Sequence, residues 1–537
     1  MENIPLVVDN LTFRYRRRTE PAIENVSFSV LPGQVMLIAG SSGCGKTTLM
    51  RCVNGLIPHT YHGEMSGDIL LYGQSIKGME LADISQKVGT LLQDPERQIL
   101  GSYVLNEVAF GLESMGLPRD EIRTRAEKAL ERLGILSMKD RETFNTSGGE
   151  KQKIALAGIL AMEPRILLLD EPLASLDPAS AHEALAVFRV LADEGYAVML
   201  VEHRVEDVLA INPEIVVYME KGRVVYSGSP SGLMDAVDHH QVKLPAEIVM
   251  EKARLEPAPV FKPAVQTGED PVPLVQFENV HFRYGIDHPE VLKNIHCNIK
   301  KGDVIAILGH NGSGKTTLVK HALGLLKPTE GRVLLEGKDT RSITVAQAAR
   351  TVGYVFQSPA QMLFAPTVAE ELSFGPRNLG YSKAVTAGNV DWSVETVHLK
   401  EEMGMPPLAL SFGQQKRISI AAILAMRSRI LIMDEPTAGQ DYWNYTSFMD
   451  AILQMPGFDS VMFITHDLDL ALIYANRILL MFDGKIIADG ASHDVLSDES
   501  LLRSCRILPT SLLKLNKTMF ALTGKFQRAE TLAHFQS

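Results

Sequence analysis

The sequence lacks an apolar run long enough to cross a bilayer. Its longest uninterrupted apolar stretches are Ile154–Met162 and Ile420–Met426, which reach about half of the length that a spanning helix needs, or less. The N-terminal residues also lack an apolar signal segment, because Glu2, Asn3 and Asp9 interrupt them. We therefore expect a cytosolic chain.

Cysteine is scarce, and positive charge is not in excess. The four cysteines show no C-x-x-C spacing, which argues against a zinc site, and disulfides are not expected in the cytosol. The formal net charge is −11, whereas a nucleic-acid-binding domain usually carries a strong basic excess. We therefore expect no nucleic-acid partner.

What the sequence contains, in two copies, is the pattern G-x-x-x-x-G-K-[ST]. Each copy follows an apolar, strand-like run, Val35–Ile38 or Val304–Leu308, and opens a helix-like segment. A phosphate-binding loop requires this context, because its glycines let backbone N–H groups close around a polyphosphate at the positive end of a helix. We predict that both loops bind ATP. The predicted loop residues are Gly40, Ser41, Ser42, Gly43, Cys44, Gly45, Lys46, Thr47 and Thr48, and Gly309, His310, Asn311, Gly312, Ser313, Gly314, Lys315, Thr316 and Thr317.

Several loop side chains have a predicted task. The lysines, Lys46 and Lys315, should reach the β- and γ-phosphates, and the hydroxyls of Thr47 and Thr316 should ligate Mg²⁺. Cys44 lies near a helix N-terminus, where we expect a lowered thiol pKa. On that basis thiol reagents should inhibit the first site, and ATP should protect it.

The rest of the chain repeats as well. Asp434 follows Asp170 by 264 positions, the same interval separates Gln357 from Gln93, and the loop lysines are 269 positions apart. A period this long indicates duplicated domains rather than a solenoid. We predict domains at residues 5–240 and 274–505, a proline-rich linker and a C-terminal tail. The linker comprises residues 241–273 and the tail residues 506–537.

The alternation of apolar strands with helices predicts the α/β class. We expect two tandem P-loop NTPase domains, each with a mainly parallel sheet that helices cover on both faces. Antiparallel strands should open each domain, and residues from about 96 to 165 should form a helical insertion in the first one.

Each copy places acids at the end of an apolar strand. Asp170 and Asp434 are predicted Mg²⁺ ligands, and Glu171 and Glu435 are predicted general bases that polarise the attacking water. Such a pair could alone be a helix cap, but it occurs twice in the same order and spacing. The duplication therefore favours the functional interpretation.

Three further residue types recur in both copies. Gln93 and Gln357 follow strand-like runs and should reach both Mg²⁺ and the attacking water. His203 and His466 should contact the γ-phosphate. Tyr15 and Tyr284, each 25 positions before the first glycine of its loop, should stack on adenine.

The segments Thr146–Glu150 and Leu410–Gln414 each precede a helix, and both resemble the signature motif of the ATP-binding-cassette (ABC) ATPases. The segments Ala174–Asp177 and Ala438–Asp441 are similar to the D-loop of that family. In ABC proteins two cassettes pair head to tail, so each ATP lies between one phosphate loop and the other signature. The resemblance implies two groups: Lys46 with Ser411, Gly413 and Gln414, and Lys315 with Ser147, Gly148 and Gly149.

Both signatures depart from the usual L-S-G-G-Q. Thr146 and Glu150 replace its ends in the first copy, and Phe412 replaces its first glycine in the second. A side chain so near the phosphates should slow the site that contains Lys46. Because each copy retains its glutamate and histidine, we expect both sites to hydrolyse ATP, at unequal rates.

The segments after the glutamines narrow the resemblance. The first copy has Q-x-P-x-x-Q at Gln93–Gln98, and both copies have E-x-x-F-G, at Glu107–Gly111 and Glu371–Gly375. These patterns resemble the ATPases of energy-coupling-factor (ECF) importers, although the second copy departs, with Gln361 one position early.

The ECF resemblance implies partners and a location. It implies a transmembrane coupling protein and a small-molecule-binding membrane subunit, with the chain bound peripherally at the cytoplasmic face of the membrane. The cargo would be a vitamin, a vitamin precursor such as thiamine or hydroxymethylpyrimidine, or a metal ion such as cobalt.

Other interpretations remain. The segment after each glutamine could be a generic helical insertion, and fused cassette pairs also power sugar or peptide importers, which commonly lack this pattern. ABC translation factors are soluble pairs, but they usually carry a long basic helical linker. DNA-repair relatives separate the cassette halves with coiled coils, which this sequence lacks.

Overall fold

The computed structural model describes residues 4–16, 18–174, 176–257, 272–437, 440 and 442–535. The chain forms two compact units, with the main division between Val249 and Met250. None of the described helices is both long and apolar enough to cross a membrane.

The first unit contains two sheets. Its strands are β1 (Leu6–Tyr15), β2 (Ile23–Val30), β3 (Val35–Gly40), β4 (Gly63–Leu71), β5 (Gln74–Ser75), β6 (Val88–Leu91), β7 (Ile166–Asp170), β8 (Ala197–Val201), β9 (Ile215–Glu220) and β10 (Arg223–Gly228). One sheet has the order β10-β9-β3-β8-β7-β6 and the other the order β2-β1-β4-β5. In the larger sheet only the β9–β10 pair is antiparallel. Every residue of β3 is buried, as expected for a parallel strand covered on both faces.

The helices of the first unit lie between these strands and after them. They are α1 (Lys46–Val53), α2 (Leu56–His59), α3 (Leu81–Lys87), α4 (Val104–Ser114), α5 (Arg119–Arg132), α6 (Gly148–Ala161), α7 (Pro178–Asp193), α8 (Val205–Leu209), α9 (Pro230–Ala236) and α10 (Ala246–Ala253). Helices α4, α5 and α6 pack on one another and form the predicted helical insertion.

The second unit repeats this architecture. Its strands are β11 (Val275–Phe282), β12 (Leu292–Ile299), β13 (Val304–Leu308), β14 (Glu330–Leu335), β15 (Lys338–Asp339), β16 (Val352–Val355), β17 (Ile430–Asp434), β18 (Ser460–Ile464), β19 (Arg477–Phe482) and β20 (Lys485–Ala491). The sheet orders are β16-β17-β18-β13-β19-β20 and β12-β11-β14-β15, the same as in the first unit. The predicted α/β class with tandem P-loop domains is confirmed.

The second unit has more helices than the first. They are α11 (Lys315–Ala322), α12 (Val345–Ala348), α13 (Val368–Asn378), α14 (Lys383–Val397), α15 (Phe412–Met426), α16 (Tyr442–Gln454), α17 (Leu468–Tyr474), α18 (Ser492–Ser497), α19 (Glu499–Ser504), α20 (Ser511–Thr523) and α21 (Ala529–Leu532). Helices α20 and α21 lie in the predicted tail. Leu512, Leu513 and Leu532 are buried there, and α20 packs on α17.

The predicted linker is partly helical. Helix α10 follows Pro245 directly and buries Ala246, Val249 and Ala253, one face of the helix. The spacing of these three residues carried a helical signal that the frequent prolines obscured. Residues 258–271 of the predicted linker lie outside the described part of the chain.

Candidate active site

The two phosphate loops have the backbone conformation that only glycine tolerates. Gly40 has φ 152° and Gly309 has φ 150°. A Cβ atom on Gly40 would lie 2.3 Å from the carbonyl oxygen of Met219, and one on Gly309 would lie 2.3 Å from that of Met481. Each glycine therefore lets its loop pass directly over the neighbouring strand, β9 or β19.

The loop lysines are buried and folded back on their own loops. Lys46 Nζ donates to the carbonyl oxygens of Gly40 and Ser41 at 2.8 and 3.0 Å. Lys315 Nζ donates in the same way to Gly309 and His310, at 2.7 and 2.9 Å. Both amines are thus held at the mouth of a backbone cradle, where a phosphate oxygen would replace a carbonyl as partner.

Most of the predicted residues of the first copy surround one cleft. Its volume is about 470 Å³, and its lining includes Tyr15, Lys46, Gln93, Glu171 and His203. The structure therefore brings together a base, an amide, an imidazole and the phosphate loop from four separate parts of the sequence.

The acid predicted to hold Mg²⁺ in the first copy, Asp170, has a carboxylate oxygen without a hydrogen-bond partner among the described residues. This oxygen, Oδ1, is buried. Burial and the neighbouring Glu171 raise the pKa of Asp170 to about 6, although Lys46 opposes this shift. A buried carboxylate oxygen without a partner fits the oxygen ligands that Mg²⁺ prefers.

The predicted general bases share a strained backbone. Glu171 and Glu435 both have φ 44°, a left-handed conformation that costs a bulky residue free energy and is concentrated at functional sites. His203 Nε2 lies 3.1 Å from Glu171 Oε1, and His466 Nε2 lies 3.0 Å from Glu435 Oε1. In both copies the glutamate with this backbone conformation has its carboxylate next to a histidine.

The surroundings of the two bases differ. Gln93 Nε2 donates to Glu171 Oε2 at 2.7 Å, whereas Gln357 makes no such bond to Glu435 among the described residues. Burial raises the pKa of Glu171, but the hydrogen bond from His203 and the charge of Lys46 outweigh it and lower that pKa. Burial, opposed by Lys315 and reinforced by Asp434, raises the pKa of Glu435 to about 8.

The predicted adenine-stacking tyrosines lie beside the helices that follow the loops. The hydroxyl of Tyr15 lies 3.2 Å from that of Thr48, and the hydroxyl of Tyr284 lies 3.2 Å from that of Thr317. The ring of Tyr284 is 55% exposed. Both rings are therefore fixed at one end and keep a surface on which a base can stack.

The predicted signature residues cap two helices. Ser147 caps α6 in a capping box with Glu150, and Ser411 caps α15 in a capping box with Gln414. Because Glu150 accepts from the Ser147 backbone N–H at 2.7 Å, glutamate performs the same capping task as glutamine. In the predicted D-loops, Ser175, Ala438, Gly439 and Asp441 lie outside the described residues.

Phe412 packs along its own helix. The Lys416 amine lies 5.1 Å from the Phe412 ring centroid and 5.1 Å from that of Phe448. A Cβ atom on Gly148, the equivalent position in the first unit, would meet nothing within 4 Å. Ser411 still caps α15 in a capping box with Gln414, so the start of this helix is regular with phenylalanine at its first position.

The expectation of a lowered thiol pKa at Cys44 was wrong. The thiol is 3% exposed, and burial raises its pKa although the charge of Lys46 opposes this shift. Proximity to a helix N-terminus is outweighed by desolvation here. Cys44 is therefore a packing residue of the loop rather than a reactive thiol.

Sequence reasoning missed three polar residues near the sites, two of them buried and one half-buried. Glu202 accepts from the backbone N–H groups of Leu173 and His203 at 2.7 and 3.0 Å. Lys416 Nζ donates to the carbonyl of Pro436, and burial lowers its pKa to about 7. The third is Tyr354, a partner of Asp434. Each interrupts or adjoins an apolar segment, which was the available signal.

The motifs after the glutamines shape a surface loop. Glu107 Oε2 accepts from the backbone N–H groups of Leu100 and Gly101 at 2.7 and 2.6 Å. Glu371 Oε2 accepts from those of Phe364 and Ala365 at 2.8 Å each. The glutamate of E-x-x-F-G is therefore the anchor of this loop in both units.

Comparison with known proteins identifies the class. The family model described as ABC transporter matches residues 23–174 and 292–438. A Streptococcus pneumoniae protein, named provisionally as an ABC transporter ATP-binding protein, is 38% identical over 534 residues, which cover 95% of each chain. A Methanosarcina acetivorans protein with the same description is 35% identical, over 94% of this chain and 88% of its own.

One solved structure is also similar. It is described as CbiO1 from Clostridium perfringens, part of the ABC transporter complex CbiONQ, and the match covers 46% of this chain and 99% of that one. The identity is 31% and the TM-score 0.40. From the family model and the full-length relatives, the chain belongs to the ABC transporter family. It is an ATP-binding protein with two ATPase cassettes.

Proposed function

We propose that each cassette hydrolyses ATP with the residues that line its phosphate loop. Lys46 or Lys315 binds the phosphates, and Glu171 or Glu435 takes a proton from the attacking water as its oxygen bonds to the γ-phosphorus. The bond from that phosphorus to the bridging oxygen of ADP breaks at the same time. The contact of each glutamate with its histidine, at 3.1 and 3.0 Å, supports this assignment.

We assign Mg²⁺ to the acid at the end of the central strand, the loop threonine and the glutamine. In the first cassette these are Asp170, Thr47 and Gln93, and in the second Asp434, Thr316 and Gln357. When bound, Mg²⁺ would neutralise charge on the phosphate oxygens.

We further propose that the cassettes pair head to tail around ATP. Gly148 and Gly413 support this arrangement, because a Cβ atom on either would meet nothing within 4 Å, and one on Gly149 would make only an ordinary contact with Leu176, at 3.7 Å. Helix N-termini with vacant space in front of them suit a phosphate that another surface presents.

We propose that the chain is the energy-coupling ATPase of an ECF-type importer. The observation that carries this proposal is an apolar docking patch of Leu100, Phe110 and Phe144, which are 71%, 50% and 67% exposed. Glu107 anchors the loop of Leu100, and the Thr143 hydroxyl donates to the Gly101 carbonyl at 2.7 Å. These bonds tie the loop of Leu100 to α4, which carries Phe110, and to Thr143, the residue before Phe144.

The second cassette carries an equivalent patch. Phe364, Phe374 and Leu408, each 264 positions later, are 62%, 49% and 56% exposed. The Phe364 and Phe374 rings meet edge to face with centroids 4.8 Å apart. Because exposed apolar groups at matching positions are costly unless covered, we propose that each patch receives a short helix of a transmembrane coupling protein.

Charge supports a membrane partner. Acidic residues outnumber basic ones by 64 to 53, and the cytoplasmic loops of membrane proteins carry excess lysine and arginine. The cargo would reach a separate binding subunit, as a vitamin, a vitamin precursor or a metal ion. A sugar or peptide importer is the alternative, and a translation factor is less favoured because the linker, residues 241–273, is short and proline-rich rather than long and basic.

A photo-cross-linking amino acid at Phe110 or Phe374 tests this function. We expect each to label a multi-span membrane protein in membranes of the source cell. Val190 and Val225, which are 53% and 60% exposed and lie outside the patches, provide matched control positions that should label nothing. Labelling of ribosomal proteins would instead support the translation factor, and equal labelling at all four positions would reject the patches as docking sites.

A further inference from the structure

In the second cassette, a tyrosine donates a hydrogen bond to Asp434, the acid that we assign to Mg²⁺. The hydroxyl of Tyr354 on β16 donates to Asp434 Oδ2 on the adjacent strand β17, with an O–O distance of 2.5 Å. A free tyrosine has a pKa near 10, so this hydroxyl is a permanent donor at neutral pH.

The first cassette has a different pair at these positions. Thr90, the equivalent of Tyr354, is too short to reach the acid, and its hydroxyl accepts from Asn54 Nδ2 at 3.4 Å. Asp170 Oδ1 is left buried without a partner among the described residues. In the second cassette Leu323 replaces Asn54, so the threonine–asparagine pair has become a tyrosine–leucine pair.

We propose that Tyr354 is a positioning residue that fixes the Asp434 carboxylate, so that the second ATP site binds its divalent cation more tightly than the first. The inference rests on the proposed role of Asp434 as a Mg²⁺ ligand. A carboxylate already fixed by a donor does not have to be ordered when the cation arrives, whereas Asp170 does.

Single-site variants isolate the two cation sites. Lys46→Ala leaves only the second site able to hold a nucleotide, and Lys315→Ala leaves only the first. In each background, electron paramagnetic resonance counts Mn²⁺ bound with a non-hydrolysable ATP analogue. We expect Tyr354→Phe to weaken Mn²⁺ binding at the second site by about tenfold, the usual size of an effect on a supporting partner. Binding of the analogue in EDTA should not change.

Variants of the first cassette provide a control and a test of gained Mn²⁺ affinity. Thr90→Val should leave Mn²⁺ binding at the first site unchanged, because Thr90 does not contact Asp170. The double variant Thr90→Tyr with Asn54→Leu copies the second cassette and should tighten Mn²⁺ binding severalfold. A gain cannot result from a variant that fails to fold.

The outcomes distinguish a failure of this inference from a failure of the proposed function on which it rests. Unchanged Mn²⁺ affinity in Tyr354→Phe, with the analogue still bound, would overturn the inference alone. An equal loss in Thr90→Val would also overturn it, because the effect would then not depend on the tyrosine. If neither single-site protein bound the analogue, the proposed ATP sites would fail, and the inference would fail with them.

Discussion

The two cassettes share the residues of the proposed ATP sites and differ in the residues that support them. The loop lysines make the same carbonyl contacts, and the strained glutamates have the same φ. The residues that support these groups have changed, in the pairs Thr90 and Tyr354, Gln152 and Lys416, Glu202 and Thr465, and Cys44 and Ser313. Duplication has therefore preserved the residues that we propose to face ATP, while the residues that support them have diverged.

The pKa values of the two predicted general bases also differ. Glu171 is hydrogen-bonded to Gln93, and its pKa is lowered, whereas the pKa of Glu435 is raised to about 8. The same residue type at the same backbone angle therefore has its pKa shifted in opposite directions in the two cassettes. Equal sequence motifs do not guarantee equal sites.

The largest effect should come from the glutamates. We expect Glu171→Gln with Glu435→Gln to lower ATP turnover by about 10²- to 10⁴-fold, the contribution of a general base. Of the single variants, Glu435→Gln should lose more, because Phe412 is expected to slow the site of Lys46. Phosphate release at saturating ATP measures this, with binding of an ATP analogue as the control. Equal rates in the single variants would remove the predicted inequality.

Lys416 should give the second cassette a pH-dependent stability. Its folded pKa is about 7 against about 10.4 unfolded, so between these values the unfolded state binds more protons and stability rises with pH. We expect a slope of about 1 kcal/mol per pH unit. Lys416→Gln, which copies Gln152, should abolish the slope, and Gln152→Lys should introduce one. Calorimetry from pH 7 to 9.5 measures both, and a slope retained in Lys416→Gln would contradict the assignment.

Glu202 should protect the segment after the first catalytic glutamate. Removing its carboxylate in Glu202→Ala leaves the Leu173 and His203 amides without their acceptor, so their hydrogen exchange should quicken by about tenfold. The matched variant is Thr465→Ala, whose hydroxyl accepts from the Asp467 amide. Its effect should be smaller and confined to that amide. Unchanged exchange at Leu173 in Glu202→Ala would show that the carboxylate is not the link.

The smallest effect should come from Cys44. Cys44→Ser makes the loop match Ser313 of the second cassette, and we expect ATP affinity to change by less than about twofold, as for a buried near-isostere. A thiol reagent should leave native Cys44 unmodified, because the residue is buried and its pKa is raised. Rapid labelling that ATP prevents would restore the reactive-thiol interpretation.

The sequence predicted the parts that depend on local pattern. Apolar runs placed the central strands, and duplication identified the acids at their ends, because both signals are local and repeat. It could not predict that Gln93 reaches Glu171 while Gln357 does not reach Glu435, since that depends on packing around each side chain. It also missed the donor role of Tyr354, because a tyrosine in an apolar strand looks like a core residue.

The contacts of the C-terminal tail predict how truncation of the chain would affect the protein. Arg528 pairs with Asp450 of α16 and donates to the hydroxyl of Tyr474 at 2.6 Å, and the Thr510 hydroxyl donates to Asp469 of α17. Because α17 follows His466 closely, a nonsense codon after residue 505 would remove contacts that hold this helix near the proposed second ATP site. Late truncations of this gene should therefore be as damaging as missense changes in its core.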